Sequence, residues 1–178
     1  MIPLSLRISG FLSYLQPVEL DFTGFDMACI SGANGAGKSS LLDAITWALF
    51  GQARRKDESI LNTSKANKAA EVTYVFSYEG NTYRVQRTKP REKSALLEFH
   101  IQDAEGKWRA LTESTLRATE ARICHTLRLD YNTFINASFF LQGKADQFTQ
   151  QGPGDRKRIL STILGLEIWE VYKERAAE

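Results

Sequence analysis

The chain has 178 residues, a formal net charge of +2, 43% hydrophobic residues and 25% charged residues. This length is enough for one domain with a hydrophobic core, and the composition is that of an ordinary globular protein. The small net charge excludes a chain-wide attraction to nucleic acid, so any basic surface must be local. The sequence has no run of about 18 apolar residues and no recognisable secretory signal. We therefore expect a cytoplasmic protein without a membrane partner.

The first 32 residues predict three strands. "LSLRISGF" and "VELDF" alternate apolar and polar residues, as half-buried strands do. "DMACISG" is a more continuous apolar run that ends in glycine, which is typical of a buried strand. The only cysteines, Cys29 and Cys124, lie in apolar segments, so we expect both to be reduced and buried.

A glycine-rich loop follows these strands. "GANGAGKS" matches the P-loop pattern, with Gly32, four intervening residues, and then Gly37, Lys38 and Ser39. Glycines let the backbone turn its N–H groups toward phosphate oxygens, and the next helix directs its positive end toward the same anion. Lysine would neutralise the β- and γ-phosphates, and the serine hydroxyl is suited to magnesium. The motif predicts phosphate binding.

The remaining elements follow from periodicity. Apolar residues at three- and four-residue spacing predict a helix over 38–50, which Gly51 ends. Residues 52–68 have no periodicity and predict a loop. "AEVTYVFSYEGNTYRVQRTK" predicts a hairpin, and "ALLEFHIQDAEGKWRAL" repeats that plan, so we expect a meander of about four strands.

Helices are predicted in the last third of the chain. One is expected from Thr112, a shorter one over "YNTFINASFF", and further helix after the break at "QGPGDR". The final "EIWEVYKERAAE" is helical in pattern and has no C-terminal cap signal. We therefore expect the chain to stop inside a helix and to be part of a longer protein.

The sequence carries only half of a nucleotide-hydrolysing site. "LLDAI" lies on the P-loop helix and "VELDF" is short and precedes the loop, so neither is a convincing Walker B strand with its metal-holding carboxylate. Nothing resembles a guanine-reading "NKxD" motif. A P-loop by itself does not separate kinases, GTPases and motor-type ATPases.

The order of these parts resembles the N-terminal half of SbcC-type DNA double-strand-break-repair ATPases, within the SMC and ABC-ATPase superfamily. The most specific matches are "NASFFLQGKADQF", where Gln142 resembles the family's Q-loop, and "DRKRILSTILGLEIWE", which resembles the base of its coiled coil. The resemblance implies an α/β P-loop NTPase fold, an ABC-ATPase-like N-terminal lobe with an antiparallel β meander and the start of a coiled coil. It implies an ATPase lobe over 1–152 and the truncated base of a coiled-coil helix over 153–178.

The resemblance also implies roles for individual residues. Lys38 and Gln142 would serve catalysis, and Ser39 and Gln142 would approach the magnesium ion. Many relatives have an arginine where this chain has Leu12, so no contact is carried over there. Residues implied to bind ATP are Gly32, Asn34, Gly35, Ala36, Gly37, Lys38, Ser39, Ser40 and, on the nucleoside side, Thr63, Ser64 and Lys65.

The partners implied are the chain's own C-terminal half, a second copy of the head in an ATP-dependent dimer, an SbcD-type nuclease and double-stranded DNA, at a cytoplasmic, nucleoid-associated location. Hydrolysis in this family needs two heads, so the chain alone is expected to be inactive. The alternatives are an SMC, RecN-like or RecF-like ATPase without a nuclease partner, a P-loop small-molecule kinase, and a structural segment that does not respond to ATP.

Two groups of residues have weaker signals. Arg84, Arg87, Lys89, Arg91 and Lys93 form a basic stretch whose last four members would share one face if the strand continued, as a DNA-phosphate contact would need. A solvated hairpin tip is the alternative, and Pro90 favours an edge strand or loop. His100 and His125 have no cysteine or carboxylate at metal-binding spacing, so we interpret both as structural.

Overall fold

A computed structural model describes most of the chain and divides it into two compact units. The described residues are 1–53, 60–64, 66–137, 147–164, 166, 169, 172–173 and 175–176. The first unit is Met1–Ile123 and the second is Cys124–Glu178. The sequence instead predicts a division at 152/153, between an ATPase lobe and the base of a coiled coil. That functional boundary stays a prediction.

A six-stranded antiparallel sheet forms the framework of the first unit. The strand order is β2-β1-β3-β4-β5-β6, so the predicted meander of four strands is confirmed as β3 to β6 and the two N-terminal strands extend it. β4 is an interior strand, and Pro90 is its last residue, where the missing N–H does little harm. The bounds are β1 Ile2–Ser9, β2 Val18–Asp21, β3 Ala69–Tyr78, β4 Asn81–Pro90, β5 Leu96–Gln102 and β6 Trp108–Ala110.

One face of this sheet carries the core. Four aromatic rings, Tyr74, Phe76, Tyr83 and Phe99, stack across β3, β4 and β5 with successive centroids 5.2, 5.7 and 5.6 Å apart. The period of two along each strand places these rings on one face. The opposite face is polar, as the alternation predicts.

Helix α1, Lys38–Phe50, packs on the buried face of the sheet, and its predicted bounds are confirmed. Trp47 and Phe50 are buried, as expected of core residues. Gly51 ends the helix with a φ of +67°, and its N–H donates to the carbonyl oxygen of Trp47.

The third predicted strand, "DMACISG", is wrong. Residues 25–33 contain neither helix nor strand, and Met27 is 90% exposed. Cys29 is also exposed and Cys124 is half-buried, so the expected burial of both thiols is wrong too. A buried strand needs a neighbour on each side to satisfy its backbone N–H and C=O groups. None of the six described strands pairs with this segment.

Helices follow the sheet, and local caps set their starts. α2, Leu116–Leu127, starts after Thr115, whose hydroxyl accepts a hydrogen bond from the Ala118 N–H. In the second unit the Asp130 carboxylate accepts the Thr133 N–H at the start of α3. The remaining bounds are α3 Tyr131–Ala137, α4 Gln147–Gln150 and α5 Pro153–Ile163. The predicted break is thus the start of α5, with proline at its first position.

Candidate functional site

The glycine-rich loop immediately precedes α1. Gly35 and Gly37 have φ angles of +84° and +92°, a region that side-chain-bearing residues rarely adopt. A Cβ added to Gly37 would lie 3.1 Å from the Ser13 Cβ and 3.2 Å from the Tyr14 ring. Position 37 therefore favours glycine by its positive φ, and the space beside it is tight for any side chain.

The start of α1 is suited to an anion. Gly37 is the N-cap residue, no side chain caps the helix, and its first turn has no acidic residue. The first N–H groups of a helix lack partners within the helix and carry its positive end. Phosphate oxygens are the natural acceptors for such N–H groups.

The Lys38 side chain crosses the loop. Its ammonium donates hydrogen bonds to the carbonyl oxygens of Gly32, at 2.7 Å, and Ala33, at 2.9 Å. The positive charge therefore lies at the first glycine of the motif, on the loop that would surround a phosphate. Ser39 is the next residue in the first turn and is half-buried.

Two of the three predicted nucleoside-side residues, Thr63 and Ser64, lie in a compact turn. The Ser64 N–H donates to the Asn62 side-chain oxygen at 3.0 Å, and the Asn67 N–H donates to the Ser64 carbonyl at 3.0 Å. Thr63 is exposed. Lys65 and Gln142 lie outside the described residues, so their roles stay predictions.

Ser13 and Tyr14, to which the sequence assigned no role, contact the start of α1. The Tyr14 hydroxyl donates to the Gly37 carbonyl at 3.3 Å, and the hydroxyl oxygens of Ser13 and Ser40 are 3.4 Å apart. Burial raises the pKa of the Tyr14 hydroxyl, and a tyrosine hydroxyl is protonated at neutral pH in any case. No periodicity signals such a contact, because the pairs are 23 and 27 residues apart.

The basic stretch does not form one surface. The Arg87 side chain is buried, Arg84 stacks over the Trp108 ring at 4.6 Å, and the Lys89 ammonium donates to the Lys93 carbonyl. Arg91 donates from Nε to the Asn67 carbonyl at 3.2 Å. A shared face would require the strand to continue through Arg91 and Lys93, but β4 ends at Pro90.

The described part of the chain has neither a preformed metal site nor a membrane span. No group of three or more histidine, cysteine or acidic side chains there could hold a metal ion. No helix among the same residues is long and apolar enough to cross a membrane.

Comparison with protein families matches residues 5–174 to the family described as AAA domain. Among curated proteins, the SbcC component of nuclease SbcCD from Deinococcus radiodurans is 33% identical over 93% of the chain. The probable DNA double-strand break repair Rad50 ATPase of Aquifex aeolicus is 34% identical over 100% of the chain. The chain covers 19% and 18% of these two relatives, about a fifth of their length.

A solved structure shows the same fold. The recombination mediator protein RecF with ATP superposes with a TM-score of 0.54 at 15% identity, over 98% of this chain and 43% of that one. The P-loop NTPase fold expected from the sequence is confirmed, and so is the resemblance to SbcC and Rad50 proteins.

Proposed function

The chain belongs to the AAA domain family, and we propose that it is the ATP-binding half of an ABC-type ATPase head. One observation carries this proposal. Lys38 lies across a loop of positive-φ glycines, at the start of a helix without a side-chain cap. This arrangement gives a triphosphate a cation, backbone N–H groups and a helix dipole together.

Each predicted residue has a definite part in the proposed site. Lys38 neutralises the β- and γ-phosphates, and residues 34–40 surround the triphosphate. Ser39 is a magnesium ligand, and Gln142 contacts the magnesium ion or the attacking water. Residues 63–65 lie on the nucleoside side. Catalysis then consists of positioning and charge neutralisation, as in other phosphoryl transfers.

The proposed site is completed by the C-terminal half of the protein and by a second head. The apolar segment at residues 25–33 supports this, because Phe25, Met27 and Ile30 are 47%, 90% and 49% exposed next to the P-loop. Further strands that paired with it would bury these side chains and satisfy its backbone. The chain alone then binds nucleotide weakly and does not hydrolyse it.

We place the whole protein in DNA double-strand-break repair or DNA-end processing, in the cytoplasm and associated with the nucleoid. The names of its relatives support this, since they include a component of the nuclease SbcCD and a Rad50 double-strand-break-repair ATPase. The proposed partners are double-stranded DNA and an SbcD-type nuclease that the ATPase regulates.

An SMC, RecN-like or RecF-like ATPase without a nuclease partner is the second candidate. The fold does not separate it from the first, because RecF shares that fold. A cysteine-pair zinc hook at the apex of the coiled coil in the full-length sequence would distinguish the SbcC type. A small-molecule kinase would instead transfer phosphate with this chain alone.

The test is magnesium-dependent ATP hydrolysis by this chain mixed with the separately expressed C-terminal half. We expect hydrolysis only in the mixture, and none when Lys38→Ala replaces the wild-type chain. The matched control is Lys107→Ala, which removes an exposed lysine in the β5–β6 turn and should not change the rate. Hydrolysis by this chain unaided would overturn the split-site proposal and favour the kinase.

A further inference from the structure

The turn Gly10–Tyr14, here called the strap, lies between the start of α1 and the segment that carries Thr63 and Ser64. We propose that the strap positions the phosphate-binding loop, with Tyr14 as a positioning residue that acts through the Gly37 carbonyl. This inference rests on the proposed function, since it concerns affinity for ATP at the same loop.

The strap contacts α1 at Gly37 and Ser40, which flank Lys38 and Ser39 in the sequence. Tyr14 donates to the carbonyl of Gly37, the N-cap residue, and Ser13 lies within hydrogen-bonding distance of Ser40. Lys38 and Ser39 lie between these two contacts. A shift of the strap would therefore move the N–H groups and the ammonium that the phosphates need.

The other side of the strap is anchored by Asn62. The Asn62 amide nitrogen donates to the Leu12 carbonyl at 2.6 Å, and its side-chain oxygen accepts the Ser64 N–H. The Asn62 backbone N–H donates to the Gly10 carbonyl at 2.8 Å, and Asn67 donates to the same oxygen at 2.8 Å. One side chain therefore joins the strap to the turn predicted to face the nucleoside.

Phe11 and Leu12 fix the conformation of the strap through contacts with α1 and with Ile60. Phe11 is fully buried, and its ring centroid is 5.2 Å from that of Trp47 on α1. The Leu12 N–H donates to the Ile60 carbonyl at 2.7 Å, and Leu12 has a φ of +46°. A side-chain-bearing residue keeps such a φ only where its surroundings determine it. The strap can therefore transmit its own position to Gly37.

The test compares Tyr14→Phe with the wild-type chain. This change keeps the ring against Gly37 and removes only the hydroxyl. We expect ATP to bind about fivefold more weakly, the effect of one lost hydrogen bond. Tripolyphosphate should weaken by the same factor, because the strap acts on the phosphate loop. Amide-resolved NMR titration measures both affinities in the weak range expected here.

A second readout needs no nucleotide. In Tyr14→Phe the Ser40 amide proton, which donates to the Gly37 carbonyl at 2.9 Å, should exchange faster with solvent, and the thermal midpoint should stay within a few degrees. Asn62→Ala should have the same local effect, because it releases the other side of the strap. Tyr83→Phe is the matched control, since Tyr83 is buried among aromatic rings of the sheet and should alter neither readout.

The outcomes separate the two proposals. If wild type and Lys38→Ala both fail to bind ATP, with or without the C-terminal half, the proposed function is overturned. Hydrogen exchange in Tyr14→Phe then tests by itself whether the strap positions the loop. If wild type binds ATP and Tyr14→Phe binds equally well with unchanged exchange, the strap inference is overturned while the ATP site stands. A general loss of stability in Tyr14→Phe, with equal changes at distant amides, also overturns the positioning role.

Discussion

Arg87 illustrates how far a side chain's role can differ from its sequence pattern. The residue lies in a basic stretch, yet only 3% of its side chain is exposed. Its Nε donates to the carbonyl of Ala48 near the end of α1 at 3.2 Å, and its Nη1 donates to Glu120 at 2.7 Å. Burial lowers the pKa of Arg87, while the hydrogen bond and charge of Glu120 act in the opposite direction. The arginine is therefore a structural cation that joins α1, β4 and α2.

Removal of Glu120 should reveal how much this pair stabilises the first unit. Glu120→Ala leaves the Arg87 charge buried without its carboxylate, and we expect the free energy of unfolding to fall by about 3 kcal/mol. That is the low end of the usual range, because 28% of the Glu120 side chain is exposed. Denaturant-induced unfolding measures the change.

Glu113→Ala is the matched control for this experiment. Glu113 pairs with Arg122 at 3.7 Å, and both side chains are almost half exposed, at 44% and 49%. Such a pair contributes about 0–1 kcal/mol. Equal losses in the two variants would contradict the structural role assigned to Arg87.

At the scale of elements, α1 depends on glycine at both ends for different reasons. Gly37 gives the helix a start that leaves its first N–H groups available to an anion, and Gly51 ends it next to the Arg87–Glu120 pair. A Cβ at position 51 would lie 2.8 Å from the Glu120 carboxylate and 2.9 Å from the Arg87 guanidinium. The C-terminal glycine thus serves packing as well as helix termination.

Gly51→Ala should therefore be more harmful than an ordinary cap substitution. The positive φ disfavours alanine by about 1 kcal/mol, and displacement of the ion pair adds to this, so we expect a loss of about 2 kcal/mol in unfolding free energy. Gly24→Ala is the control, because no atom lies within 4 Å of the added Cβ. It should change stability by less than about 0.5 kcal/mol. A neutral Gly51→Ala would show that the helix end can shift freely.

At the scale of the whole molecule, the P-loop is joined to two kinds of neighbour. Its C-terminal side continues into α1, which packs on the sheet, and Tyr14 of the strap contacts Gly37. On its N-terminal side the loop follows the segment 25–33, which contains neither helix nor strand and exposes apolar side chains. The phosphate-binding loop is therefore supported on one side by this chain and, in our proposal, on the other by the C-terminal half.

Hydrogen exchange tests that proposal directly. In the chain alone, amides at 25–33 should exchange rapidly, because no strand ladder protects them, while those of β3 and β4 should be protected. Addition of the C-terminal half should slow exchange at 25–33 and leave β3 and β4 unchanged. If exchange at 25–33 does not slow, this segment is not where the two halves meet.

The sequence by itself determined the elements whose signals are local. Alternation placed the strands, and apolar spacing together with Gly51 placed α1. These predictions succeeded because period, propensity and φ > 0 depend on residues a few positions apart. The order of the parts further indicated the family to which the chain's relatives belong.

Only the tertiary structure decided which residues meet across long separations. Arg87 and Glu120 are 33 residues apart and Asn62 and Leu12 are 50 apart, and neither pair has a periodic signature. The strand expected at "DMACISG" failed for the same reason. Its apolar residues favour burial. A strand, however, forms only where a neighbouring strand completes the hydrogen bonds of its backbone. The described part of this chain does not supply such a strand.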